Sequence, residues 1–263
     1  MNKTVNMRWA ALLLLLSVSC SVKEDRSPCP CWLSVVSSDA FRVAGRPQLI
    51  VRSVEDGTEI LRDTLERSAE ALIEYTVPKG RLTVIVRSEL SRGREENGQV
   101  LFSEGESADT LWAHASEVDC GGEFTLDTVR MRRQFARVTV RPECGSWRKA
   151  GVTGLEVRTS CGGLDLRTLT PVEGSWHTHQ QTDEDSGTEF LVPRLSPEGA
   201  FSLVIDLAGE TEERDLQAAL RASGYDWSRK DLDDIVVTFD VNLSVIAVSV
   251  EPWHAGEKYE ENI

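Results

Sequence analysis

The sequence predicts an all-β chain, two antiparallel β-sandwich domains with one short helix in the second. Three observations carry this. Alternating runs recur, best at 201–207, where Phe201, Leu203, Ile205 and Leu207 interleave with Ser202, Val204 and Asp206. A second such run sets Ala136, Val138 and Val140 against Arg137, Thr139 and Arg141, and period two marks a half-buried strand. Turn signals such as Pro78-Lys79-Gly80 separate short apolar stretches along the chain. With 263 residues, one large or two small domains are expected, and strand-rich halves meet near residue 130.

The elements follow in order. Residues 1–19 carry Lys3 and Arg8, then an apolar core from Trp9 to Val18 that is too short to span a bilayer as a helix, which takes about 20 residues. This pattern is an export signal. Ser17, Val18 and Ser19 lead into Cys20, an order that resembles the lipobox of bacterial lipoproteins, although Ser17 stands where leucine is usual. The resemblance implies that Cys20 is lipidated and becomes the first mature residue. Several acyl chains on one residue, at about 0.8 kcal/mol per buried CH₂, hold a protein on a membrane essentially permanently. Residues 20–28 are polar and form a flexible tether; Lys23-Glu24-Asp25 also resembles the acidic signal that carries some lipoproteins across the outer membrane.

The first domain is expected at 29–130. Strands are predicted at 32–37 and 48–54. A short helix or ordered loop is predicted over 56–74, where Leu61, Leu65, Ala69, Leu72 and Ile73 fall near helical spacing. Strands at 75–77 and 82–86 flank the proline turn, with Leu82, Val84 and Val86 on one face and Thr83 and Arg87 on the other. Residues 88–98 read as a charged loop, followed by short strands at 100–103, 111–113 and 122–126. The second domain is expected at 131–263, with strands at 134–141, 152–159, 190–192 and 201–207. A helix is predicted at 211–222, capped by Thr211, with Glu212 and Glu213 in its first turn and Gly224 at its end. A hairpin of 235–239 and 245–250 closes the fold.

Composition and cysteines bound the function. The net charge is −14, and the leader takes two positive charges with it. So acidic a chain disfavours nucleic acid as a partner, which needs clustered Lys and Arg. No second long apolar run exists, so the body is not expected to cross a membrane. Five cysteines remain after Cys20, and an exported chain permits disulfides. Cys144 and Cys161 form the preferred pair, with Cys120 to Cys29 or Cys31 as a further pairing; the odd number leaves one thiol over.

Catalytic chemistry finds little footing. His177-Thr178-His179 could put two rings on one face of a strand, yet its surroundings read as a polar loop. Asp183-Glu184-Asp185 and Asp231 to Asp234 lack the alternating calcium-loop pattern. No serine elbow, phosphate loop or dinucleotide fingerprint occurs. No enzyme activity, cofactor or metal is expected. Trp147, Trp176 and Trp227 fall in loop-like contexts and would suit the alternative reading, a surface lipoprotein that captures glycan or a host protein.

Several motifs together resemble one family. They are Cys29-Pro30-Cys31-Trp32-Leu33, Val77-Pro78-Lys79-Gly80, Met131-Arg132-Arg133-Gln134-Phe135-Ala136, Gly224-Tyr225-Asp226-Trp227, Asp231-Leu232-Asp233-Asp234-Ile235 and Val250-Glu251-Pro252-Trp253. In this order, behind a lipidated cysteine, they resemble the FimB-type fimbrial anchor subunits of Bacteroidales type V pili, over nearly the whole mature chain. The resemblance implies two transthyretin-like sandwiches and a lipid-anchored, surface-exposed place in the outer membrane at the fimbrium base. It also implies assembly with stalk subunits by donor-strand exchange, which limits fibre length. The anchor would keep its N-terminal strand, and 245–253 would be the segment offered to the next subunit. Asp63-Thr64-Leu65, Asp109-Thr110-Leu111 and Asp127-Thr128-Val129 resemble the O-glycosylation sequon of this bacterial group, at Thr64, Thr110 and Thr128.

Overall fold

The computed structural model describes residues 29–66, 72–143, 147, 151–182, 187–240 and 242–253. The leader, the Cys20 lipid site, the tether through residue 28, Cys144 and Asp183-Glu184-Asp185 lie outside the described residues.

The first half supplies β1 (Cys31–Val36), α1 (Ala40–Val43), β2 (Gln48–Ser53), β3 (Glu59–Thr64), β4 (Leu72–Val77), β5 (Arg81–Arg87), β6 (Arg94–Glu96), β7 (Gln99–Leu101), β8 (Trp112–Asp119) and β9 (Phe124–Thr128). The second supplies β10 (Arg132–Arg133), β11 (Phe135–Pro142), β12 (Val152–Asp165), β13 (Thr170–Gln181), β14 (Thr188–Pro193) and β15 (Phe201–Leu207). It closes with β16 (Thr211–Asp215), α2 (Leu216–Ser223), β17 (Asp234–Phe239) and β18 (Val245–Glu251). The all-β expectation holds.

Two sheet pairs enclose two cores. In the first, sheet β4-β1-β9 packs on sheet β10-β8-β5-β2-β3, burying Leu33, Val35 and Val77 against Leu49, Val51, Val84 and Val86. In the second, sheet β14-β11-β17-β18 lays Val138, Phe190 and Ile235 against Leu155, Phe201 and Leu203 of β12 and β15. Pairing is not purely antiparallel. β1 runs parallel to β9 and β11 parallel to β17, so each half places its first long strand between one antiparallel and one parallel neighbour. The two halves therefore repeat one plan.

Several predicted elements are corrected. Residues 59–64 form a strand, not part of a helix, because Asp56-Gly57 closes a hairpin: Gly57 has φ 71°, and β3 then pairs with β2. Residues 94–96, expected within a loop, form a strand that pairs with the one at 99–101 as a hairpin. Asn97 and Gly98 have φ 51° and 79°, the mirror-image turn that matches the twist of two strands. The predicted helix at 211–222 splits. Residues 211–215 pair with β15, and Asp215, not Thr211, caps the helix by accepting from the Gln217 and Ala218 N–H groups. Gly224, at φ 79°, ends it as expected. Residues 170–181 are a strand, so the histidine pair lies in β13.

The hairpin of β6 and β7 crosses the expected division at residue 130. β7 pairs with residues 163–165 of β12, in the sheet of the second half. Gly163 makes the approach possible, since a Cβ there would stand 2.4 Å from the Val100 carbonyl oxygen. A third core of Ile50, Ile85, Val100, Leu111, Leu164 and Leu166 fills the space between the halves. This covers the second face of the five-stranded sheet and explains why Thr83 and Arg87 are buried. Arg87 meets Glu95 of the hairpin at 2.8 Å, and Arg62 reaches the same carboxylate at 2.6 Å.

Candidate assembly surface

The sheet β4-β1-β9 presents an unusual outer face. Along β1, Cys31, Leu33 and Val35 point inward and are fully buried, which turns Trp32 and Ser34 outward. In β9 the expected order is inverted. Asp127 faces the interior, while Phe124 and Leu126 face solvent at 74% and 63% exposure. Registry sets Trp32, 46% exposed, beside Phe124, and Leu126 beside Ser34; Leu72 follows beside Val36. Apolar side chains clustered on one face of a folded chain mark an interaction surface.

The inversion in β9 has a physical cause. Asp127 accepts from the His114 ring at 3.1 Å and from the Ser116 hydroxyl at 2.9 Å. The Arg130 N–H donates to His114 Nδ1, so Nε2 carries the proton given to Asp127. Burial alone would raise the Asp127 carboxyl, but the His114 and Ser116 hydrogen bonds outweigh it and hold it below the usual carboxylate range. This polar anchor fixes the face that β9 turns inward.

The C-terminal strand β18 forms the edge of its sheet and pairs with β17 over its whole length. Ile246 does not share a face with Val248 and Val250 as its spacing predicts. The register skips it between Val245 and Ala247, so this bulged residue is 46% exposed while Val245, Val248 and Val250 pack on the core. Beyond the strand, the Trp253 ring lies 5.1 Å from Trp112, and the Trp253 backbone N–H donates to Asp233 Oδ1 at 3.0 Å. The chain end is thus stitched to both halves.

The junction is held by two buried arginines. Arg133 is fully buried, donates to the Leu232 carbonyl at 3.0 Å and to Asp234 at 2.5 Å, and lies 4.4 Å over the Phe135 ring. Arg194 donates to Gln134 Oε1 at 2.7 Å and to the carbonyls of Trp227, Arg229, Arg133 and Lys230 between 2.6 and 3.1 Å. Burial lowers its pKa. Asp231 accepts from Arg132 at 2.9 Å and from the Arg133 N–H at 3.0 Å. Asp231 and Asp234 thus clamp the Arg132-Arg133 segment. No local pattern in the sequence announced the role of Arg194.

The remaining sequence-singled residues fall as follows. His177 is half-buried and His179 exposed on the outer side of β13, and His179 meets Asp206 at 3.0 Å. Trp147, Trp176 and Trp227 are buried in the second core and offer no stacking platform. Among the described residues, no three His, Cys, Asp or Glu side chains gather into a metal-holding group. Cys161 is a buried thiol bonded to the carbonyls of Gly163 and Arg194; its expected partner Cys144 lies outside the described residues. Thr128 is exposed, whereas Thr64 and Thr110 are half-buried. The three aspartates before them already have partners, Tyr75 for Asp63, the 91–93 loop for Asp109 and His114 for Asp127.

No protein-family model and no curated protein sequence matches this chain. Solved structures do. The fold is similar to that of the fimbrial anchor protein Mfa2 from Porphyromonas gingivalis, with a TM-score of 0.60 at 16% identity over 86% of this chain and 98% of that one. It is similar to a Bacteroides thetaiotaomicron protein named for polysaccharide binding, at 0.60 and 18% over 85% and 96%. A Bacteroides thetaiotaomicron protein named as an adhesin follows at 0.57 and 14%, over 86% and 97%. At such identities the likeness is one of fold, from end to end.

Proposed function

We propose that the chain is a non-enzymatic fimbrial subunit of the cell surface, lipid-anchored through Cys20 in the outer membrane at the base of the fibre. The observation that carries this reading is the path of the N-terminus. β1, which begins at Cys31 and is the first described strand, is the central strand of its sheet, so a pull from the N-terminal side is resisted by two neighbouring strands. A chain tethered this way keeps its N-terminal strand, as an anchor must. The end-to-end likeness to a fimbrial anchor fold supports the same role.

The apolar outer face then has a place. Trp32 lies twelve residues from Cys20, within about 40 Å at full extension, which puts Trp32, Phe124 and Leu126 on the membrane-proximal side of the body. Contact with the next stalk subunit falls to the opposite end, where β18 is an edge strand and can take part in strand exchange. The expected division into 29–130 and 131–263 is kept here as two sandwiches joined by the β6–β7 hairpin.

The test is localisation. Cys20→Ala should release the folded protein from membranes and leave fibres detached from the cell. A variant that still fractionates with the outer membrane sinks the anchor reading. The glycan-capture alternative predicts instead that the wild-type protein binds polysaccharide and never co-purifies with fibres.

A further inference from the structure

We propose that Cys31 and Cys120 are a disulfide-forming pair, which staples the first strand of the fold to the link between β8 and β9. Both residues are fully buried in the first core. Their thiols are neighbours there: Cys31 Sγ lies 3.7 Å from the Thr125 hydroxyl, and the Cys120 thiol is near enough to Cys31 and Thr125 to be perturbed by both. That hydroxyl is itself fixed by donating to the Asp119 carbonyl at 2.7 Å.

The backbone holds both positions. Cys31 pairs with Val77, the Trp32 N–H donates to the Glu123 carbonyl at 2.8 Å, and the Cys120 N–H donates to the Gly80 carbonyl at 2.8 Å. The other described cysteines are placed differently. Cys29 is exposed, and Cys161 lies in the second core.

The chemistry needs an oxidant, and this inference rests on the export part of the functional reading to supply one. The two thiols lose two protons and two electrons as the sulfur–sulfur bond forms. A disulfide reagent, a thiol–disulfide oxidoreductase in the cell envelope or oxidised glutathione in a tube, accepts them as its own bond breaks into two thiols. Exchange proceeds through a thiolate and a mixed disulfide. Burial, with the neighbouring Cys31, pushes the Cys120 thiol up to about 11, so the finished fold reacts slowly. The bond therefore forms while β9 is still closing over β1.

The consequence is mechanical. Cys31 stands one residue before Trp32 at the point where the tether enters the fold. A covalent bond there passes tension from the membrane into the β8–β9 link without loading the β1 hydrogen bonds.

The experiment maps cysteine linkages in the full chain, unfolded without reductant and alkylated. It uses protein recovered from the cell envelope and reduced protein refolded with oxidised glutathione. The expected result is a Cys31–Cys120 cross-linked peptide, two hydrogens lighter than its reduced parts, in both samples. The oxidised form should unfold roughly 5–15 °C above the reduced form. Cys31→Ser and Cys120→Ser should each abolish that gap; because each buries a hydroxyl in the first core, the wild-type comparison of oxidised and reduced forms stands without them. A cross-link to Cys29 instead, or free Cys31 and Cys120 after refolding with oxidised glutathione, overturns the proposal. A bond that forms on refolding but is absent from envelope protein confirms the pairing and overturns the export reading.

Discussion

Arg194 gives the sharpest test of what holds the two halves together. It is a buried cation without a carboxylate partner among its five acceptors, which are four backbone carbonyls and the Gln134 amide oxygen. Hydrogen bonds to a charged group contribute about 1.5–3 kcal/mol each. Five of them added independently would rival the whole stability of a typical domain, about 5–15 kcal/mol, so they do not add. Truncation to alanine is better judged by the acceptors it strands. Gln134 Oε1 and the Trp227 and Arg133 carbonyls lie in buried bonds, whereas Arg229 and Lys230 offer theirs in partly buried ones. Three dry acceptors at about 1–3 kcal/mol each, eased by water entering the space left behind, give about 3–5 kcal/mol. For a chain of this size that is a fall of roughly 6–20 °C in the unfolding temperature. Arg194→Lys should recover part of the loss, since it keeps the charge but has three donors in a different geometry. Near-UV circular dichroism in urea and limited proteolysis between residues 225 and 231 read the two effects. If Arg194→Ala costs less than about 1 kcal/mol and opens no new cleavage there, the clamp is not what orders this segment.

Other outcomes are equally specific. For Asp127, Asp109 and Glu95, burial raises each carboxyl, but hydrogen bonds from His114 and Ser116, from the 91–93 loop, and from Arg62 and Arg87 hold each below its usual value. Stability from such groups is present above the unfolded carboxylate range and lost as pH falls below about 5; urea midpoints should drop on acidification, and Asp127→Asn should flatten that slope. Deleting the chain from Val245 onward should destabilise the second half, as β18 packs three valines on the core and Trp253 on Trp112. A truncated protein that stays protease-resistant while fibres detach would instead mark β18 as a dispensable donor. Exposed Thr128 is the sequon residue open to a sugar, so Thr128→Ala should remove any added mass seen on the intact exported protein, and an unmodified wild-type mass ends that idea.

What the sequence made legible was local. The 201–207 run and the closing hairpin stand where their periodicity put them, because each pairs with a neighbour close in sequence. The helix was found by its stripe, but its start was misplaced because Glu212 and Glu213 suit a helix's first turn as well as a solvent-facing strand. The β6–β7 hairpin was hidden by charge: Arg94, Glu95 and Glu96 look solvated until Arg62 and Arg87 arrive from other strands, and only Asn97-Gly98 signalled a turn. The apolar outer face was harder still. Alternation in 124–128 is plain, but which side faces inward depends on His114 in the preceding strand, thirteen residues before Asp127. The Arg194 clamp has no periodic signature at all.

The hairpin that reaches across the molecule also sets an order of events. Leu101 finds its partner Gly163 only after some sixty further residues have been made, and Leu164 and Leu166 must arrive before Ile50 and Ile85 are covered. Until those residues follow it into the envelope, the first half waits with a strand edge and an apolar sheet face open. During that interval it is a candidate for capture by a chaperone or by a second nascent copy. Once β12 is in place the two halves cannot part without breaking a shared sheet, so the finished molecule should melt in a single step.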